Sequence, residues 1–491
     1  MEIKNEKYAE IIKPIRNRLR EFDYHSVIFA LSSYLSCSHN DQYSYKHMER
    51  LPWNAETLAL WVLSDNARCY KQKIMNANDV RVYIEDIRLI LDKLPSDNKD
   101  TALSMRQLFM QQIPYQKTAN FYAFVRQLLL LNKVVNGSKL ENVIERFFEM
   151  SIEQYSELAT IFYLYFGQRN SKIIFRDKLV GDIVKIYGKT TINGFISKIA
   201  PSLDAARKIV RDKRKICLDE CFQPTVLYEA PCISVSDQII SWGIPTIRRY
   251  FEYVVSDCLE DSSEVNIRQD WDALFSNYIG EVLKHTGCIV LNEEEIKNKF
   301  KLNGKVCDFL LEEKEGFVLI EVKHKNLTKQ IPAIAEPSLL RSKLKATLCK
   351  AFGQLENTEK YIKDDSSYQG KNIVSIIVTP SELWLGPARF FDAYSNDVST
   401  YIISADALER LCELSRLHGI SFCSYFKDVE KQNSDPKTAL FSPEWLLMDK
   451  QYELNRIEHL DVFFDRIFGK IRNHFMLNRL KLANAVDQNC A

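Results

Sequence analysis

Residues Gly304 to Asn326 read GKVCDFLLEEKEGFVLIEVKHKN, two apolar runs either side of a short polar turn, with Asp308, Glu321 and Lys323 kept inside them. Apolar runs of this length flanking a turn predict a β-hairpin. Side chains alternate across a strand, so Glu321 and Lys323 share one face while Ile320 and Val322 point to the other. Val, Leu and Phe on both faces predict a central strand covered on both sides. A two-residue loop at Lys314 and Glu315 sets Asp308 opposite Glu321; a bulge at Gly316 instead slips the pairing by a residue without separating the strands. Two carboxylates held close in a partly buried place repel, and the remedies are protonation, a cation or a bound metal. An oxygen-rich pair suits Mg2+, whose retained waters can attack phosphate esters. Lys323, facing the same way, is placed to orient that water or offset charge in a phosphorane-like transition state.

The flanking segments supply the rest of a module. DWDALFSNYIGEVLKHTG predicts a helix with Asp270 as N-cap, Gly287 as stop, and Trp271, Leu274, Phe275, Tyr278, Ile279 and Val282 on one apolar face. Glu281 falls at the edge of that face. A short strand CIVLN, a polar excursion, the hairpin, a helix from about Leu339 to Ile362 and a strand NIVSIIVT follow. The order is helix, three strands, helix, strand.

This constellation resembles the PD-(D/E)XK nuclease superfamily, the restriction-endonuclease-like fold, over about residues 271–380, under a quarter of the chain. The resemblance implies Asp308 as the first metal-binding acid, Glu321 as the variable Asp or Glu, Lys323 as the lysine, and the Val322 carbonyl as a further metal ligand. It implies a catalytic role for Glu281, the additional acid that many members carry on the first helix. Gln354 resembles a glutamine that some branches keep on the helix after the lysine, although the tyrosine expected four residues later is Thr358; Cys307 stands at the proline position of the name. The implied cofactor is Mg2+, with Mn2+ able to substitute. Glu-x-Lys alone carries little, since it also occurs at Glu2, Glu295 and Glu312, but only Glu321 follows an apolar strand with an aspartate one hairpin earlier.

A nuclease needs a path for phosphates. Between Val322 and Lys350 seven basic residues face one acid, Glu336. Lys325, Lys329, Arg341, Lys343 and Lys345, with Gln354, are the candidate nucleic-acid contacts. Two other basic runs, Arg207–Lys215 and Arg466–Lys481, read first as solvated helix faces or partner contacts. No helix-turn-helix or zinc finger stands out, so base-sequence specificity is not expected. DNA is the first substrate expected and RNA the second.

The chain has 491 residues, 46% of them apolar, and a net charge of +1, enough for two or three packed domains and no overall polycation. The expected fold class is α+β multidomain. A large all-helical N-terminal domain (1–200), suited to sensing or binding a protein partner, precedes a basic helical connector (201–265). The restriction-endonuclease-like α/β core with a central mixed sheet (266–425) and a helical C-terminal tail (426–491) follow. In that tail Ile457, Leu460, Phe464, Ile467 and Ile471 step by three and four, which predicts an intramolecular core ahead of a homo-oligomer seam. Ser442 and Pro443 read as its N-cap and first turn. Twelve cysteines scattered without secretory signals predict reduced thiols; Cys217, Cys221 and Cys232 cluster but fall short of a four-ligand zinc site. With no membrane-length apolar run, the expectation is a cytoplasmic protein without a membrane partner. The function expected is a metal-dependent nuclease in nucleic-acid processing or antiviral defence against foreign DNA. The alternative is a noncatalytic nucleic-acid-binding or scaffold protein that keeps the fold.

Overall fold

The structure, a computed structural model, describes the chain apart from residues 1, 37–50, 92–114, 116–120, 169–172, 215–219, 221–224, 261, 263, 265, 325–333, 335–336, 369, 384–399, 440, 455 and 490–491. Two compact units result. One takes in the described residues to Leu91, from Tyr115 to Ser262 and from Val462 onward; the other is Glu264–Asp461.

In the first unit, helices such as Tyr24–Ser36, Pro52–Ser64 and Ala77–Leu91 bury Val27, Leu31, Leu58, Trp61, Val62 and Ile87 in one core. The expected all-helical reading is incomplete here. Strands β1 (Ile173–Phe175), β2 (Cys232–Val235) and β3 (Gln238–Ser241) form an antiparallel sheet in the order β1-β3-β2. The segment from Asp237 therefore begins as a strand and not as a helix. CISV and QIIS are short β-branched runs joined at Ser236, whose φ of 56° fits a tight hairpin turn, and Val235 pairs with Gln238. The helix starts only at Ile244 and runs to Glu260. Contiguity of the two apolar segments hides the change of period between them.

The basic run from Arg207 is absorbed within this unit. Arg207 Nη2 donates to the Asp65 carbonyl at 2.9 Å, and Arg211 reaches the Ser64 and Asp65 carbonyls at 3.2 Å. These are the orphan acceptors at the end of the helix Pro52–Ser64, where a cation also meets the negative end of the helix dipole. Lys213 pairs with Glu229 and Arg214 with the buried Glu220.

The second unit holds a five-stranded mixed sheet in the order β4-β5-β6-β7-β8, comprising Ile289–Asn292, Phe309–Glu312, Gly316–Val322, Asn372–Thr379 and Thr400–Ser404. The first three strands are antiparallel, and β6, β7 and β8 run parallel. Parallel neighbours need a crossover. Between β6 and β7 it is the helix Pro337–Leu344, a π turn at Lys345–Cys349 and the helix Lys350–Asp364. Every residue of β6 is buried, as a central strand requires.

Several local readings change. Asp270 lies inside the first turn of the helix Ile267–Lys284, whose N-cap is Asn266 in the left-handed region. The polar excursion is a helix, Glu293–Phe300, started by a reciprocal Asn292–Glu295 capping box. The parallel strand β8 was not foreseen. Ser442 does cap a helical turn, but the turn is the 3-10 segment Pro443–Met448, and the long helix begins at Glu458. Ile457, Leu460, Ile467 and Ile471 are buried, and Phe464 packs edge-on against Phe121. No described helix is long and apolar enough to cross a membrane.

Candidate active site

The hairpin closes with the two-residue loop. Glu313 and Gly316 exchange backbone hydrogen bonds, and Phe309 pairs with Ile320, Leu310 with Leu319 and Leu311 with Val318. Gly316 is an ordinary strand residue and not a bulge. Its requirement is a close approach: a Cβ there would lie 2.0 Å from the Asn372 carbonyl oxygen on β7. Hydrogen-bonded and non-hydrogen-bonded pairs alternate along an antiparallel ladder, so the bonded pair 313/316 makes 307/322 the next bonded pair after 309/320. Continued one residue beyond β5, that register sets Asp308 opposite Glu321 at a position of the closer, non-hydrogen-bonded kind.

At that point the ladder is replaced by side-chain bonds. Asp308 Oδ2 accepts from the Val322 amide at 2.7 Å, and the Cys307 amide turns to Thr358 Oγ1 at 3.0 Å. The Cys307 amide, the donor that the ladder would have offered to the Val322 carbonyl, is thereby turned away from it. Gln354 Nε2 donates to the Val306 carbonyl at 3.3 Å, and Asn357 Nδ2 to the Lys305 carbonyl at 3.1 Å. Gln354, Asn357 and Thr358 are neighbours on one helix face at spacings of three and four. They hold three consecutive residues, Lys305 to Cys307, and so present Asp308.

Glu321 is 0% exposed. Its Oε1 accepts from Lys323 Nζ, its carboxylate also faces the Asp308 amide, and its buried Oε2 has no hydrogen-bond partner among the described residues. Burial, then the neighbouring Asp308 charge, push its carboxyl up to about 7, against the pull of Lys323. Asp308 is raised as well, by burial first, with the Val322 amide and Lys323 opposing and Glu293 adding repulsion. A buried carboxylate oxygen without a donor, a second carboxylate beside it and a backbone carbonyl from which the Cys307 amide is turned away fit a hard divalent cation.

Lys323 is held from both sides. Its amide donates to the Val378 carbonyl at 2.9 Å, and the next residue, His324, points to the opposite sheet face. There His324 Nε2 accepts from Trp271 Nε1 at 3.0 Å, Nδ1 meets Asp272 Oδ1 at 3.0 Å, and the Phe275 ring packs on it. Nothing in the local sequence marks His324, which anchors the end of β6 to the helix Ile267–Lys284.

That helix covers the face opposite the carboxylates, with Gly280 against Phe309, and Glu281 on it is exposed. The acid that acts on Asp308 is Glu293, at the start of the capped helix. The exposed Lys350 has its pKa lowered, by the neighbouring Lys305 first and also by Lys323, with Glu321 opposing, so Lys305 and Lys350 stand together on the approach to Lys323 and Glu321. Lys305 was missed by sequence although it stands three residues before Asp308. Arg341, Lys343 and Lys345 are exposed on the crossover. Lys325, Lys329, Cys217 and Cys221 lie outside the described residues. No family model, no curated protein and no solved structure matches the chain, so the meaning of this site rests on its own residues.

Proposed function

We propose that the chain is a metal-dependent nuclease of the PD-(D/E)XK type, hydrolysing phosphodiester bonds of DNA, with RNA as the second substrate class. The observation that carries the reading is the buried Glu321 beside the half-buried Asp308, with Lys323 on Glu321 and a Glu321 Oε2 that has no hydrogen-bond partner among the described residues. The element order around it, a helix, an antiparallel β4-β5-β6 meander, a crossover helix and parallel β7, supports a restriction-endonuclease-like core. Asp308, Glu321 and the Val322 carbonyl would hold Mg2+, or Mn2+ in its place. Bound there, the ion supplies charge neutralisation at the phosphate and a more acidic water. Lys323 Nζ, on Glu321, is placed to orient a nucleophilic water and to offset negative charge at the phosphorus. Lys305 and Lys350 draw the phosphate backbone toward the carboxylates.

Cleavage of plasmid, linear double-stranded and single-stranded DNA and of RNA by the purified full chain tests this, with magnesium titrated throughout. Asp308→Ala and Glu321→Ala should lose both metal affinity and cleavage. Lys323→Ala should still bind magnesium but cut roughly 100-fold or more slowly, the cost of removing one transition-state donor. Glu312→Ala, whose carboxylate pairs with Lys299, is the control and should cut normally. Wild-type turnover by all three site variants at every magnesium concentration would sink the assignment of catalysis to this hairpin, and absence of cleavage by the unaltered chain would favour a noncatalytic binding protein.

A further inference from the structure

A second set of metal-capable side chains lies in the same unit. His285 ends the helix Ile267–Lys284, Glu413 sits near the end of the helix Ala405–His418, and His459 is in the first turn of the helix Glu458–Asn489. Their ligand atoms all lie within 4.8 Å of one another. Glu413 is buried, His459 half-buried and His285 exposed. Donor atoms around a tetrahedral zinc with bonds of about 2.0–2.1 Å are roughly 3.4 Å apart, so binding would draw the three side chains closer together.

The hydrogen bonds around His459 set its tautomer. Tyr278 donates its only hydroxyl proton to the buried Glu409 carboxylate. The 3.0 Å contact between that hydroxyl oxygen and His459 Nε2 then requires Nε2 to carry the imidazole proton. In that tautomer Nδ1, on the other side of the ring, is the nitrogen without a proton and so the one able to act as a ligand. A histidine whose far nitrogen donates into a tyrosine and carboxylate relay is the arrangement that orients histidine ligands and raises their basicity. Glu413 is prepared in a similar way. Arg416 donates from Nε and Nη2 to Glu413 Oε2, at 3.0 and 2.7 Å, which fixes the carboxylate and leaves Oε1 for a cation.

We propose that His285, Glu413 and His459 bind Zn2+, with water completing the shell, and that the ion ties three helix ends together. Two imidazoles and one carboxylate favour zinc, whereas the all-oxygen set at Asp308 and Glu321 favours magnesium. The proposal is independent of the nuclease reading, because neither carboxylate of that site takes part.

Metal-stripped full chain, with excess magnesium present, should take up one equivalent of Zn2+ in competition with a chromophoric chelator. The same equivalent should persist in the Asp308→Ala, Glu321→Ala double variant. His285→Ala, His459→Ala should weaken it by about 100-fold or more, and Tyr278→Phe, which removes only the hydroxyl that orients His459, by about 10- to 100-fold. Co2+ added to unaltered protein supplies a reading that no folding defect can confuse: a four-coordinate site gives strong visible absorption, and zinc should bleach it. Absence of tight Zn2+ uptake by the wild type, or unchanged uptake by the double histidine variant, would overturn the proposal and leave the two histidines as a packed pair with ring centroids 5.0 Å apart.

Discussion

Glu321 illustrates how a residue that weakens a fold can mark a site. A fully buried carboxylate next to Asp308 costs free energy whenever it ionises, and an aliphatic side chain would fill the same strand position without that cost. The sign of the pH dependence follows. The unfolded carboxyl ionises near 4.5 and the folded one near 7. Below 4.5 both are protonated and nothing is lost. As pH rises from 4.5 to 7 the unfolded state releases its proton first, so the folded state loses up to about 3 kcal/mol. The raised Asp308 carboxyl adds in the same direction. Denaturation of chelator-treated protein between pH 5 and 8 should show this decline, and Glu321→Gln, which cannot ionise, should flatten it. Parallel curves for the two proteins would show that the carboxylate is not strained. Magnesium should restore stability at pH 8 and have little effect at pH 5, because it binds the ionised pair.

Strand and helix elements meet at two glycines whose tolerance should differ. A Cβ on Gly316 would collide with the Asn372 backbone oxygen at 2.0 Å, and neither parallel strand can retreat without breaking the β6–β7 ladder. Gly316→Ala should cost roughly 3 kcal/mol or more. On Gly280 the clash is with the ring edge of Phe309 at 2.8 Å, a side chain only partly buried and able to turn. An overpacking cost of about 1 kcal/mol there is nearly offset by the gain of about 1 kcal/mol from alanine in a helix interior. Denaturant midpoints of the two variants decide the point: equal losses would mean that β6 and β7 can part at Gly316 without cost. The crossover between β6 and β7 also carries the exposed Arg341, Lys343, Lys345 and Lys350, so one element both enforces the parallel pairing and brings Lys350 toward Glu321.

Across the whole molecule, a net charge of +1 makes any nucleic-acid surface local. In the run at Arg207, Arg207, Arg211, Lys213 and Arg214 are spent on helix ends and ion pairs of their own unit, whereas the crossover carries its charges in the same unit as the proposed site. Changing Lys343 and Lys345 to Gln should lower the slope of log affinity against log salt by about 2 for duplex DNA, since each lost phosphate contact releases one fewer condensed counterion. Fluorescence anisotropy of a labelled duplex at several salt concentrations measures it. An unchanged slope would place the phosphate path elsewhere.

Much of the central sheet was legible in order. The apolar strand with Glu321 and Lys323 on one face, the two-residue loop and the register that ends one pair short of Asp308 and Glu321 follow from alternation and turn length, which are local properties of the chain. The crossover helix and the strand at Asn372–Thr379 were readable for the same reason. Strands β1 to β3 were not, because short β-branched runs next to helices look the same whether or not a distant strand exists to pair with them. Charge partners were equally out of reach. Glu293 beside Asp308, Lys305 beside Lys350, and His285 with Glu413 and His459 are separated along the chain and meet only when helix ends are packed. Whether Glu321 is strained, and whether an imidazole nitrogen is left with its lone pair, depend on burial and on donors brought from elsewhere, which no local pattern of residues encodes.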